Sequence, residues 1–243
     1  MSMNDPAAPP PAPPYNVGNA LSYGWAKFQK NAVPIVLAAL VVVAGLAVLS
    51  VLFLAVQSAV IGTSTITFDP ETGTYETTGG GSFLAGLVLA ALFGALYFVV
   101  AAVLGSLLVR AALDITDGKE LDVAAIFRFD KVVPVLIASL IIGAATFVGT
   151  LLCYLPGLVV AFLTQYTLFF LLDKDLEPMA AIRASFEFVK ANFANVLVWY
   201  IIAALVGGAG AIVCGIGLLV TVPIVIIGTA YTYRTLNGMP VAA

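Results

Sequence analysis

Long apolar runs separated by short polar connections dominate the chain. Six of them, at residues 33–61, 83–109, 132–152, 157–172, 196–213 and 216–233, are predicted membrane spans. A helix needs about 20 apolar residues to cross hydrocarbon, so the fourth run is marginal and the others are comfortable. Tyr154-Leu155-Pro156-Gly157 and Cys214-Gly215-Ile216-Gly217 make tight turns on one face. Pro156 suits the first turn of a helix, where a missing N–H costs nothing. The pattern changes period in residues 62–82. There, Thr65-Ile66-Thr67-Phe68 and Thr74-Tyr75-Glu76-Thr77 alternate about Asp69-Pro70-Glu71-Thr72-Gly73, which predicts a small β-hairpin.

A second pattern precedes the odd-numbered spans. Leu21, Trp25 and Phe28 recur at i, i+4, i+7, with Lys27 and Lys30 among the polar positions. Ile182, Phe186, Val189 and Phe193 do the same before the fifth span, with Arg183, Glu187 and Lys190 on the other face. Phe127, Arg128, Phe129 and Lys131 form a shorter equivalent before the third. Each is an amphipathic stretch with the 3.6-residue period of a helix. Residues 117–126 align without a gap to residues 173–182, and residues 237–243 are a shortened version. Cys153 and Cys214 fall at matching ends of the third and fifth spans. The sequence predicts three copies of one unit, an in-plane amphipathic helix followed by a transmembrane hairpin. The candidate lipid-interface residues are Trp25, Lys27, Phe28, Lys30, Phe127, Arg128, Lys131, Arg183, Phe186, Lys190 and Phe193. Aromatic rings sit at the membrane boundary and cations near anionic lipid, a pattern that fits lipid engagement and simple anchoring alike.

Charge turns this pattern into a topology. All ten Lys and Arg (Lys27, Lys30, Arg110, Lys119, Arg128, Lys131, Lys174, Arg183, Lys190 and Arg234) fall on one side of the six spans. Positive charge accumulates on the cytoplasmic side, so the expectation is a bacterial cytoplasmic membrane protein with both termini in the cytoplasm. The 243 residues are 62% hydrophobic and only 9% charged, against about 25% charged in soluble domains. A net charge of −3 with dispersed cations offers no basic stripe for nucleic acid. The first apolar run begins near residue 33 and is too long for the core of a cleavable signal peptide. Residues 1–14 hold six of the thirteen Pro and read as a disordered cytoplasmic tail, with a partner-docking arm as the alternative. Residues 15–243 read as one membrane domain.

Candidate chemistry is sparse. No His is present, which removes the commonest general base and metal ligand. No acid or base lies mid-span, which argues against proton-coupled transport. Gln57, Gln165 and Thr167 are the intramembrane polar candidates, with Gln165-Tyr166-Thr167 the most polar cluster. Their expected role is interhelical hydrogen bonding, a term of about 0.6 kcal/mol on average, and solute contact is the alternative. Asp69, Glu71 and Glu76 are too few for Ca²⁺, which takes six or more oxygens. The connector acids Asp117, Glu120, Asp122, Asp173, Asp175 and Glu177 are expected to pair with neighbouring cations. Cys153 and Cys214 pair only in an oxidising compartment and otherwise act as small apolar fillers. Pro223 is expected to bend the last span. No nucleotide, hydrolase or zinc motif occurs, and no cofactor is expected.

Four segments carry a resemblance: residues 178–185 (Pro-Met-Ala-Ala-Ile-Arg-Ala-Ser), residues 190–193 (Lys-Ala-Asn-Phe), residues 217–223 ending in Pro223, and residues 231–238 (Tyr-Thr-Tyr-Arg-Thr-Leu-Asn-Gly). The chain resembles a broad group of bacterial integral membrane proteins. They are similar to the membrane domain fused to glycerophosphodiester phosphodiesterases in some Gram-positive bacteria. The Pro-rich tail followed by Tyr15-Asn16-Val17-Gly18 and Tyr23-Gly24-Trp25 is similar to the actinobacterial branch. Beside six spans, 243 residues leave no room for the phosphodiesterase domain, so the resemblance implies no activity and no site residues. The expectation is an all-α, six-span protein in three hairpins. Its expected role is non-enzymatic, a scaffold or accessory that associates with membrane lipids or with a protein partner through its tail or cytoplasmic helices. A passive transporter or channel for a small neutral solute is the alternative.

Overall fold

The structure is a computed structural model that describes residues 15–62, 65–78, 83–121, 130–212 and 216–243. The Pro-rich tail, Asp122, Phe127, Arg128 and Cys214 lie outside the described residues, and with Cys214 the question of its pairing with Cys153. In chain order the elements are α1 (Val17–Lys30), α2 (Ala32–Ile61), β1 (Thr65–Asp69), β2 (Thr74–Thr78) and α3 (Phe83–Thr116). They continue with α4 (Val132–Cys153), α5 (Leu155–Thr164), α6 (Thr167–Asp173), α7 (Pro178–Ala191), α8 (Phe193–Ile212) and α9 (Leu218–Leu236). Among the described residues six segments are long and apolar enough to cross a membrane: α2, α3, α4, α5 with α6, α8 and α9.

Local chemistry sets the joints. Asn16 caps α1 by accepting from the Gly18 N–H at 2.7 Å. Asn31 ends α1 and opens α2, at φ −117°, ψ 25°. Its Nδ2 donates to the Lys27 carbonyl at 3.0 Å and its own carbonyl accepts from Ile35. Asn192 repeats the joint between α7 and α8, at φ −117°, ψ 28°, with Nδ2 donating to the Phe188 carbonyl at 3.0 Å. Lys131, before α4, has nearly the same backbone angles, φ −114° and ψ 23°. Pro34 and Pro134 sit in the first turns that follow, where no helical N–H bond is lost. At the other helix ends Gly118 (φ 75°) and Gly238 (φ 67°) take the left-handed conformation. There the Lys119 and Met239 N–H groups reach back to the Asp114 and Arg234 carbonyls at 3.0 and 2.9 Å.

The hairpin lies where the alternation places it. β1 and β2 pair antiparallel, with Phe68 opposite Tyr75 and their rings 5.1 Å apart. The fourth span departs from expectation. It is interrupted at Gln165–Tyr166, between α5 and α6. Ser185 of α7 bridges the gap, its Oγ donating to the Leu163 carbonyl at 2.9 Å and accepting from the Tyr166 N–H at 3.2 Å. A discontinuous helix inside a membrane needs its freed backbone groups satisfied, and α7 supplies that. The second span also runs on to Thr116, well past the expected end at residue 109. Pro223 lies inside a helix that continues through it.

The buried core lies at one end of the bundle. In α3 none of the residues whose side chains are described is buried before Ser106, whereas Leu107, Ala112, Leu113, Ile115 and Thr116 are all buried. In α2 burial stops at Ala39, and in α4 Val135 and Ala138 are the buried hydrophobics. Tyr166, Phe169, Phe170, Phe188 and Tyr233 form the centre of this core, with edge-on ring pairs such as Phe170–Tyr233 at 5.0 Å. Helix α1 packs mainly on α9. A Cβ on Gly24 would lie 2.6 Å from the Ile224 carbonyl, and one on Gly228 would lie 2.3 Å from the Trp199 ring. The α1–α9 contact therefore leaves no room for a side chain at position 24, and α8, through Trp199, leaves none at position 228. Both α1 and α7 have 14 residues and bury equivalent positions counted from their first residue: Ala20, Gly24, Lys27 and Phe28 in one, Ala181, Ser185, Phe188 and Val189 in the other.

Candidate functional site

Apart from the acids of the β1–β2 hairpin, the charges of the described residues gather at the end that holds the core. Arg234, in the last turn of α9, places Nη2 2.7 Å from both Asp173 Oδ1 and Asp117 Oδ1. The Tyr233 hydroxyl donates to Asp173 Oδ2 at 2.9 Å. One guanidinium thus ties together the ends of α3, α6 and α9. Lys131 pairs with Asp175, Arg110 with Asp130 at 2.9 Å, and Lys119 with Asp114 and Asp117 at 2.7 and 3.1 Å. Those carboxylates raise the Lys119 pKa above its ordinary value, the hydrogen bond it donates to Asp114 most of all. Asp117, Asp173 and Asp175 are among the connector acids whose pairing the sequence anticipates.

The lipid-interface candidates separate into two groups. Trp25, Phe186 and Phe193 are exposed, at 49%, 43% and 54%, and Lys30, Arg183 and Lys190 are exposed with them. Trp25 and Phe186 occupy the same position in α1 and α7. Phe193 also meets Phe162 edge-on at 5.7 Å. Lys27 and Phe28 are instead buried. Lys27 Nζ donates to the Ala243 carbonyl at 2.5 Å, and desolvation, with a smaller push from Lys30, lowers its pKa. Nearby, the Tyr23 hydroxyl donates to the Ala242 carbonyl at 3.0 Å, and burial pushes its pKa to about 12. Tyr15 is pushed equally high by burial and bonds Thr232 at 2.9 Å. Lys27 sits at a polar position of the helical pattern, but the tight α1–α9 contact turns that face inward.

Gln165 and Thr167 stand at the interruption of the fourth span. They line an open-sided cavity of about 560 Å³ between α3, α4 and α5–α6. Their polar groups bond locally rather than to another helix: Gln165 Nε2 donates to the Phe162 carbonyl at 2.9 Å and Thr167 Oγ1 to the Thr164 carbonyl at 2.7 Å. Interhelical bonds come from residues outside the expected set, including Ser185 and Trp199, whose Nε1 donates to Thr229 Oγ1 at 3.0 Å. Gln57, on α2, does not line this cavity. Toward the charged end Tyr166 and Leu171 are fully buried. At the opposite end Gly157 packs against α4 so closely that a Cβ would meet the Thr146 carbonyl at 2.8 Å. The α4–α5 hairpin is therefore tight at its turn and open toward Gln165. Ser185, which makes the interruption possible, lies on the apolar face of an amphipathic helix, and only its place in that stripe could have marked it in the sequence. Among the described residues no group of three or more acidic, Cys or His residues is placed to hold a metal ion.

Six apolar helical segments with charge gathered at one end define an all-helical, multi-pass membrane protein. The chain is 34% identical to the uncharacterized protein Rv2560 of Mycobacterium tuberculosis H37Rv, over 95% of this chain and 73% of that relative. It matches the uncharacterized protein Mb2590 of Mycobacterium bovis to the same extent. The chain belongs to the family of these mycobacterial proteins. No family model matches it, so the resemblance to the phosphodiesterase-associated membrane domain rests on the sequence segments alone. No solved structure matches.

Proposed function

We propose that the protein is a non-enzymatic, lipid-associating scaffold or accessory of the bacterial cytoplasmic membrane, with its charged end in the cytoplasm. The observation that carries this reading is the paired design of α1 and α7. Each buries one face against the bundle and presents an aromatic ring at the same position, Trp25 or Phe186, beside exposed cations. A helix of that kind suits the headgroup layer, with its ring at the boundary and its cations near anionic lipid. Equal helix length, equivalent buried positions and matching Asn31 and Asn192 joints support descent from one repeated unit, with Lys131 marking a third copy. The positive-inside rule supports the orientation. The Pro-rich tail is the candidate contact for a protein partner.

Native mass spectrometry of the protein in nanodiscs that contain anionic phospholipid tests the reading. Wild-type protein is expected to retain anionic lipid, and Trp25→Ala with Phe186→Ala and Lys190→Gln to lose most of it. Equal retention by the triple variant would sink the proposal. The second reading, a conduit for a small neutral solute, draws on the cavity at Gln165 but must pass the fully buried Tyr166 and Leu171. Proteoliposome flux that disappears in a Gln165→Leu variant would favour it.

A further inference from the structure

Hydroxyls within the spans mostly close onto their own helices. Ser50 Oγ donates to the Leu46 carbonyl, Ser106 Oγ to Val103, Thr150 Oγ1 to Thr146 and Thr229 Oγ1 to Val225, all at 2.7–2.8 Å. Such bonds hide the hydroxyl from hydrocarbon, where an unpartnered polar group costs free energy. Ser139 and Thr146 behave differently. Both lie on α4 and face the cavity at the α5–α6 interruption, and their hydroxyls make no hydrogen bond among the described residues. Gln165 faces the same space and uses only Nε2, which leaves its carbonyl oxygen available.

The lining limits what can satisfy these groups. Among the described residues no Asp, Glu, Lys or Arg lines the cavity, so none of them balances a phosphate or a carboxylate there. Thr164 and Thr167 also line it but bond within their own span, and the rest of the wall is apolar, including Phe98 of α3 and Phe147 of α4. Ser139 and Thr146 are two helical turns apart, about 10 Å along α4. A narrower cleft that shares Thr146 and Ala161 carries the groove on to Thr150 and Tyr154. The cavity volume falls within the range of small-molecule sites. An uncharged ligand with several oxygens spread along a short backbone, and with hydrocarbon tails to leave by the open side, matches every one of these features.

We propose that this cavity binds an uncharged acylglycerol of the membrane, with its free hydroxyl and ester carbonyls on Ser139, Thr146 and Gln165. The proposal rests on the lipid-associating reading and moves one site of association from the headgroup layer into the spans. The protein would be reconstituted in nanodiscs that hold zwitterionic and anionic phospholipid together with dioleoylglycerol, and its retained lipids weighed by native mass spectrometry. Wild-type protein is expected to retain dioleoylglycerol. Ser139→Ala combined with Thr146→Val should weaken that retention about tenfold, the loss of two modest hydrogen bonds. Thr146→Ser, which keeps the hydroxyl, should retain it, and Ala161→Phe, which fills the cavity, should abolish it. Anionic phospholipid retention reports the fold in each variant and should not change. Undiminished dioleoylglycerol retention in both the double variant and Ala161→Phe overturns the site. Anionic lipid retained by wild-type protein without dioleoylglycerol overturns the site and leaves the headgroup reading standing. Retention of neither lipid overturns both.

Discussion

The two halves of α3 illustrate the logic of the whole molecule. From Phe83 to Gly105 the helix is apolar and has no buried residue among those described, and from Ser106 to Thr116 it is nearly all buried. The half without charge is the exposed one, whereas the buried half carries Arg110 and Asp114, so hydropathy does not explain the difference. In hydrocarbon, apolar side chains gain nothing by turning away from solvent, and helices associate only where packing or polar contacts reward it. At the charged end the rewards are concrete: Arg234 on Asp117 and Asp173, the aromatic centre around Tyr166 and Tyr233, and the close α1–α9 contact. In the far half of α3 no ion pair occurs among the described residues, the contacts are isolated ones such as the Phe53–Phe93 ring pair at 5.1 Å, and Leu84, Leu92 and Val51 of α2 are exposed.

The sharpest way to break the contrast is to remove Arg234. The variant Arg234→Met leaves the largely buried Asp173 carboxylate without its cation, and loss of one partner of a buried pair costs about 3–5 kcal/mol. Denaturant unfolding in detergent should show that loss, whereas Leu52→Ala in the far half should change stability by less than about 0.5 kcal/mol. Similar costs for the two variants would mean that the far half is packed in solution. Next in size is Gly228→Ala, whose new methyl meets the Trp199 ring and costs about 1–3 kcal/mol by overpacking. The near-ultraviolet circular dichroism of the Trp should change with it, and an unchanged signal would mean that Trp199 of α8 does not press on α9 at Gly228.

A smaller effect belongs to the joint between α7 and the fourth span. Ser185→Ala leaves the Leu163 carbonyl and the Tyr166 N–H without their partner, a cost of about 1–2 kcal/mol. Hydrogen exchange at Tyr166 should accelerate while exchange in α8 stays as it is. Unchanged protection at Tyr166 would show that the interruption does not depend on α7.

The spans, the charge asymmetry and the hairpin were legible in the sequence because each is a local property, set by hydropathy or alternation over a few residues. Asp117, Asp173 and Asp175 were legible as ion-pair acids, but of their partners only Lys119, beside Asp117, is a chain neighbour; Arg234 and Lys131 lie 61 and 44 residues from Asp173 and Asp175. Lys27 was not legible as a buried residue. It occupies a polar position of an amphipathic pattern, and only the glycine-to-glycine approach of α1 and α9 encloses it. The interruption at Gln165–Tyr166 was hidden for the same reason. The run 157–172 is uniformly apolar apart from its polar cluster, and the bridging Ser185 comes from a helix about 20 residues away. The different behaviour of Ser139 and Thr146 from their neighbours also depends on the splay of α4 from α5, which no linear pattern encodes.

The smallest expected effect lies on the side with the least charge and concerns the β1–β2 turn. Asp69 there accepts from the Glu71 N–H at 2.9 Å and from Thr72 Oγ1 at 2.8 Å. These bonds favour the carboxylate, the Glu71 N–H most of all, and hold the pKa below the usual value. A carboxylate lowered in the folded state adds stability that is fully present above its unfolded pKa of about 3.9 and is lost as pH falls through the folded value. Chemical shifts of Phe68 and Tyr75, followed by NMR, should therefore be constant from neutral pH down to about 4 and move toward unpaired values only below that. The variant Asp69→Asn keeps an acceptor oxygen without a titrating proton, so it should hold the hairpin without the acid transition. An acid transition that persists in the Asn variant would assign the effect to Glu71 or Glu76. At neutral pH the helical bundle should be indifferent to Asp69→Asn, because none of its ion pairs among the described residues includes a residue of the hairpin.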